Sequence, residues 1–392
     1  MSHDYDVIIV GGGIAGLMTA ARLGAHGRKV AVFEQGLCGA QATTGNHGMI
    51  HSGALYAKLH ADIVPHCLEA LGLFRDTFPA AVISRGAYYF AHRDAVDQHV
   101  VLWERHGCPY RRVDPDEIAT LLRVEDMPEM GFVATDDLAV SSRRIVAALV
   151  RLAWYAAVDL AVRTPVSDVL VSDGRAVGVR LAERVEVTAG DVILCAGLGT
   201  RPFHERLATA ARSQLRSRLD MMAAFKGQGV PRSIICLDYG GPAIAPSVRG
   251  TILASLHGGP QPWIQRQRRW PVPVTKVLDL IERMRAHLCD GLVDYDTGVA
   301  YMCSKTELAG GSGDMWGIDP AFAVVDHGHE DGIAHLYTLL PGKMTLAFHA
   351  SREVARRVLG APVDLPLPRP PADRLDEADE LVEPPPWQAA DE

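Results

Sequence analysis

The chain has 392 residues, of which 48% are hydrophobic and 22% charged, and a formal net charge of −8. That length exceeds one compact core and predicts two intertwined domains, while the composition excludes disorder as the overall state. A net negative chain is poorly suited to a nucleic-acid partner, although it leaves room for a local cationic pocket.

Asp6–Val10 is a nearly continuous apolar run, as expected of a strand buried on both faces of a parallel sheet. It passes at once into Gly11-Gly12-Gly13-Ile14-Ala15-Gly16 and then a helical stretch beginning at Leu17. Gly11 allows the tight turn, Gly13 lets backbone N–H groups approach a pyrophosphate, and Gly16 lets helix and strand pack closely. The helix N-terminus, carrying Ile14 and Ala15, then faces the phosphate charge. A second strand, Lys29–Phe33, ends in Glu34 with Gln35 beside it, roughly twenty residues beyond the glycines. A carboxylate there accepts hydrogen bonds from ribose hydroxyls and repels a 2′-phosphate, which favours FAD or NAD over NADP.

Farther along, Pro165–Val171 and Ala176–Leu181 read as strands joined at Asp173-Gly174, a pair suited to hairpin geometry. With Val166 near its start, this unit looks like the β-meander of FAD-dependent proteins. Asp191–Gly197 reads as a buried strand that ends in Ala196-Gly197 and closes the dinucleotide-binding sheet beneath the cofactor. Beyond Arg201 the rhythm lapses into short extended stretches, Ser233–Leu237 and Gly250–Leu256, followed by a helix from Val274 to Leu288. Gly332–Tyr337 reads as a strand, Pro341-Gly342-Lys343-Met344-Thr345 as a loop, and Ala347–Ala355 as a helix. The cluster Gly310-Gly311-Ser312-Gly313 lacks strand and helix flanks, so no second nucleotide site is expected.

Four segments together resemble the D-amino-acid oxidase superfamily, in particular its branch of L-2-hydroxyglutarate dehydrogenases and FAD-linked glycerol-3-phosphate dehydrogenases. They are the fingerprint through Glu34, the stretch Thr43-Thr44-Gly45-Asn46-His47-Gly48-Met49-Ile50-His51-Ser52-Gly53, the stretch from Asp114 to Arg143, and the Pro341–Thr345 loop with its helix. The resemblance implies an α/β fold, with a Rossmann-like FAD-binding domain of the glutathione-reductase type and an antiparallel-sheet α+β substrate domain. It implies FAD as cofactor, with Thr43, Thr44, Asn46, His47 and Gly48 wrapping the flavin and His51 beside the ring. It further implies that Gly342, Lys343, Met344 and Thr345 approach the flavin pyrimidine, where backbone donors and a helix dipole favour the negative charge formed on reduction. Two departures stand out. The chain passes from Tyr56-Ala57 straight into a helix expected near Lys58, where the hydroxyglutarate enzymes carry an insertion. Ser304-Lys305-Thr306 stands where the family has an Arg-Pro pair, leaving a point charge in place of a bidentate guanidinium.

The expected FAD-binding domain comprises residues 1–85, 131–200 and 325–361, and the substrate domain residues 86–130 and 201–324. The Pro- and acid-rich stretch 362–392 is expected to be flexible. Flavin oxidation of an alcohol or amine needs a substrate C–H over the ring and a group that takes the O–H or N–H proton. His51 is the candidate base, with packing against the flavin or covalent attachment as its other roles. Lys305 and His257 are the first candidates for holding an anionic substrate. Arg218, Lys226, Arg249 and His335 rank behind them, because a solvated surface charge is the commoner state. The expected activity is oxidation of a CH–OH group in a small anionic substrate such as a 2-hydroxy acid, with electrons passed to oxygen or a carrier. The alternative is amine or amino-acid oxidation on the same fold. Seven scattered cysteines lack metal-site or disulfide spacing, and no leader pattern or membrane-spanning run is apparent. These features lead us to expect a cytoplasmic protein without a metal. The run Arg266-Gln267-Arg268-Arg269 is read as a solvated face or a homo-oligomer contact.

Overall fold

A computed structural model describes residues 3–182, 184–227, 229–237, 241–256, 260–261, 270–309, 318–319, 321–367 and 378–388. The apolar run at the start becomes the strand Tyr5–Val10, with Val7, Ile8 and Ile9 fully buried. It lies between two parallel neighbours, Val30–Phe33 on one side and Glu186–Leu194 on the other. Leu336–Leu340 runs parallel to Glu186–Leu194 on its far edge, and Ala323–Asp326 pairs antiparallel beyond that. The expected meander is present as Val166–Ser172 and Arg175–Leu181, which pair antiparallel and continue into Glu186–Leu194. Helices Ile14–Ala25, Ser142–Tyr155 and Ala347–Leu359 pack together against this sheet. The approach of helix to strand depends on glycine: a Cβ on Gly16 would stand 2.0 Å from the Gly11 carbonyl oxygen. Gly11 itself has φ +111°, and a Cβ there would meet the Cys195 carbonyl oxygen at 2.5 Å.

The second sheet is mixed and largely antiparallel. Val82–His92 pairs with Met130–Val140, and Leu215–Gly227 lies between Thr251–Leu256 and Val293–Ala309, all antiparallel. Ser233–Cys236 runs parallel to Val82–His92 and joins the two halves. The helix Val274–His287 docks on this sheet through Leu280 and Met284, both fully buried, while Val274 and Leu278 face out. Met49–Ile50, Val82–His92 and Met130–Val140 all belong to this second sheet, whereas the first draws its strands from residues 5–33, 159–194 and 323–340.

Three stretches differ from their sequence expectation. The helix expected near Lys58 begins at Val64, with a proline in its first turn, after two short 3₁₀ turns. The strand expected at Gly332 begins at Leu336, because Gly332 (φ +71°) and His335 (φ +63°) turn the chain before it can extend. Residues 378–388, part of the stretch expected to be flexible, are packed. Cys38 N–H donates to the Leu381 carbonyl at 2.8 Å, and Glu383 N–H donates to the Cys38 carbonyl at 2.9 Å. Ala378 and Val382 are fully buried, and Trp387 lies against Met222, Leu253 and Tyr301. Short apolar groups within an acidic, proline-rich segment are enough to dock it. His257, Arg266–Arg269 and Gly310–Gly313 lie outside the described residues. Among those described, no helix is long and apolar enough to cross a membrane.

Gly16→Ala should overpack the helix–strand contact and destabilise the protein by about 1–3 kcal/mol, with weaker flavin retention. A thermal melt of the flavin-loaded protein checks this, and an unchanged midpoint would contradict it.

Candidate active site

A cavity of about 910 Å³ opens at the carboxyl ends of three adjacent parallel strands, Tyr5–Val10, Glu186–Leu194 and Leu336–Leu340. Loops leaving such strand ends are where α/β sheets bind ligands. Gly11, Gly13, Ile14 and Ala15 line it from the first strand, Cys195, Ala196 and Gly197 from the second, and Gly342, Lys343 and Met344 from the third. Glu34 and Gln35 line it from the end of Val30–Phe33, and Val166 from the meander. The Glu34 carboxylate is buried and held by backbone donors: Oε2 accepts from Gly12 N–H at 2.7 Å and Oε1 from Gly36 N–H at 2.8 Å. Thr43 Oγ1 accepts from Ile14 N–H at 3.3 Å, and a Cβ on Gly13 would lie 3.3 Å from that oxygen. A bare backbone at the start of a helix, with a fixed carboxylate beside it, fits the pyrophosphate and ribose of a dinucleotide.

The other end of the cavity is built by His51, Tyr56, Lys305 and Lys343. Asn46 and His47 line the wall leading there, and Asn46 Oδ1 accepts from Gly48 N–H at 2.6 Å, closing that loop. The His51 backbone N–H donates to Thr345 Oγ1 at 3.3 Å, which ties the histidine strand to the Lys343 loop. Beneath it, buried Asp137 accepts from Ser52 N–H at 2.8 Å and from the Tyr89 hydroxyl at 2.6 Å. His51 is half-buried, its ring 5.1 Å from the Tyr56 ring, and its Nδ1 has no hydrogen-bond partner. Burial, with the charges of Lys343 and Lys305, lowers the imidazole from 6.5 to about 3. His51 is therefore neutral at ordinary pH, with a lone pair available to accept a proton.

Lys343 Nζ lies 2.5 Å from Glu307 Oε1 and 5.5 Å over the Tyr56 ring. Burial lowers this ammonium, and Glu307 works against that shift. Lys305 Nζ and Arg218 Nε each lie 2.9 Å from Asp220, on separate carboxylate oxygens. Burial acts to lower the Arg218 guanidinium, but Asp220 and Glu307 hold it above its ordinary value. Three cations thus face two carboxylates, and the cluster carries one net positive charge.

Lys305 lies within the long strand Val293–Ala309, not in a loop after a strand. It is opposite Arg218 in the register with Leu215–Gly227, so period-2 alternation puts Arg218, Asp220, Lys305 and Glu307 on one face. Asp220, Glu307 and Tyr56 were not among the sequence candidates. For the two carboxylates a signal existed: Arg216-Ser217-Arg218-Leu219-Asp220 and Lys305-Thr306-Glu307 each place a charge at every second position. Tyr56 has no comparable signal, because only the fold brings its ring under Lys343.

The remaining candidates lie elsewhere. Gly16 serves the helix–strand contact, Thr345 supports His51, and Thr44 and Gly48 line a second cavity behind the loop. His335 is held outside the site by Asp191, at 3.0 Å, and Arg175, at 2.8 Å. Lys226 is exposed, Arg249 lines the second cavity, and His257 is outside the described residues.

With this geometry in place, the comparisons with known proteins define the class. The profile of the FAD dependent oxidoreductase (DAO) family matches residues 6–357, and the chain belongs to that family. FAD is accordingly its cofactor, and the cavity residues fit it. The chain is 25% identical over 183 residues to the first subunit of the anaerobic glycerol-3-phosphate dehydrogenase of Haemophilus influenzae, covering 45% of this chain and 32% of that protein. It is 27% identical over 185 residues to glycine oxidase of Geobacillus kaustophilus, covering 43% of this chain and 48% of that protein. These matches therefore span a third to a half of the relatives' own length. In fold, the chain is similar to the crystal structure of the Geobacillus glycine oxidase, with a TM-score of 0.71 at 19% identity, covering 94% of this chain and 99% of that one. It is also similar to NikD, an unusual amino acid oxidase essential for nikkomycin biosynthesis, with a TM-score of 0.74 at 18% identity, covering 91% and 94%.

Because the folded His51 sits well below its unfolded value of 6.5, it binds fewer protons than the unfolded chain as pH falls below that value. Its contribution to stability is present above pH 6.5 and is lost as pH drops toward 3. His51→Ala apoprotein should therefore lose less stability than the parent between neutral and acid pH. Denaturant melts across that range check it, and parallel pH profiles would contradict it.

Proposed function

We propose that the protein uses FAD to oxidise a CH–NH bond in a small amino or imino acid bearing a carboxylate, with electrons passed on to oxygen or a carrier. The observation that carries this reading is the net positive cluster of Lys305, Lys343 and Arg218 beside a neutral His51. A positive field attracts the substrate carboxylate and lowers the pKa of its ammonium group, favouring the neutral amine from which hydride departs. Bound FAD supplies the two-electron acceptor. Lys305, as a point charge, holds the carboxylate with less directional control than a guanidinium fork. The partial sequence likeness to a glycine oxidase supports this reading.

A second reading, oxidation of a CH–OH group, draws support from the unpartnered Nδ1 of His51 and from the likeness to a glycerol-3-phosphate dehydrogenase. An alcohol holds its proton far more tightly than an amine and needs a base at the moment of hydride transfer.

The test is anaerobic bleaching of the flavin absorbance against matched amino acids, imino acids, 2-hydroxy acids and polyol phosphates, in the parent and in His51→Ala. The amine reading expects bleaching by amino or imino acids and a loss within about tenfold in the variant, since general-base help of about 10²–10⁴-fold is not required. Bleaching by hydroxylated compounds alone, with a loss of several orders of magnitude in the variant, would replace it with the alcohol reading.

A further inference from the structure

The second cavity, of about 540 Å³, lies behind the flavin loop, and Asn46 lines both spaces. Three arginines reach it: Arg143 and Arg144 from the start of the helix Ser142–Tyr155, and Arg249 from the turn before Thr251–Leu256. Among the described residues, none of the three forms an ion pair with a carboxylate. Arg143 Nη2 donates to the backbone carbonyl of Asp379 at 3.2 Å, and Arg144 Nη1 to that of Ala80 at 3.1 Å, contacts that leave both charges uncompensated. Asp379 also lines the cavity, so one carboxylate stands among three guanidiniums and the rim stays cationic. The Nε of Arg143 is cut off from solvent and has no acceptor. Elsewhere the chain pairs surface arginines with acids, as in Arg111–Glu117, Arg180–Glu186 and Arg356–Glu353. A protein with a net charge of −8 has carboxylates to spare, so three unpaired guanidiniums around one concavity mark a place for an external anion. Ser142 and Ser247 add hydroxyls, while Ile83, Val140, Leu253 and Trp387 supply an apolar wall.

We propose that this cavity binds a phosphorylated small molecule with an apolar or aromatic body. Three guanidiniums and two hydroxyls offer more donors than one carboxylate can accept, and the terminal oxygens of a phosphate match them. The volume is in the range of small-molecule sites. Occupancy is coupled to the flavin loop through Ser142, whose hydroxyl donates to Asn46 Oδ1 at 3.4 Å, the oxygen that also accepts from Gly48 N–H. The site is independent of whether the flavin oxidises an amine or an alcohol.

The experiment is calorimetric titration of the FAD-loaded protein with phenyl phosphate, alongside Arg143→Gln/Arg249→Gln, Arg249→Gln alone and Lys305→Met. Expected are saturable one-to-one binding to the parent and to Lys305→Met, binding at least about tenfold weaker in the double variant, and a smaller loss in Arg249→Gln, which changes only an exposed turn. A matched titration with phenol should give no saturation. Absence of saturable binding at millimolar phenyl phosphate, affinity unchanged in the arginine variants, or loss confined to Lys305→Met would each overturn the proposal.

Discussion

Three parallel strands in adjacent positions, Tyr5–Val10, Glu186–Leu194 and Leu336–Leu340, must end at the same edge of their sheet. Segments far apart in the chain therefore release their loops into one space, and the cavity is lined by the residues just after Val10, Leu194 and Leu340. The close approach of Gly16 to the Gly11 carbonyl keeps the first helix on that edge. Without glycine at both positions the helix would have to move off the strand, and the backbone N–H groups at its start would move with it.

The second sheet contributes charge to this frame. Arg218, Asp220 and Glu307 are almost wholly buried, where an isolated charge is costly. Each is compensated by a neighbour on the same face, yet the cations outnumber the carboxylates. A buried network with a residual charge is a weak source of stability and a strong source of field, because the surroundings screen it less than water would. That field helps burial keep His51 neutral and favours an anionic group in the cavity.

The two sheets meet through short polar links. Thr345 joins the Lys343 loop to His51, Asn46 closes the flavin loop, and the packed segment 378–388 runs from Cys38 beside the fingerprint to Trp387 on the second sheet. The same segment walls the second cavity, so the chain's last described residues connect both concavities to one loop.

The amino-acid sequence by itself determined the local features: the apolar strand, the glycine turn, Glu34 at the end of the next strand, the meander at Asp173-Gly174 and the Pro341–Thr345 loop. Each depends on backbone conformation or on a periodicity within a few residues. Strand register, by contrast, is set by pairing between distant segments. Only the tertiary structure decided that Lys305 lies opposite Arg218, that Glu307 neutralises Lys343, and that the Tyr56 ring sits beneath that ammonium. It likewise decided that the acidic C-terminal segment docks, since burial of Val382 and Trp387 depends on surfaces contributed by residues far away in the chain.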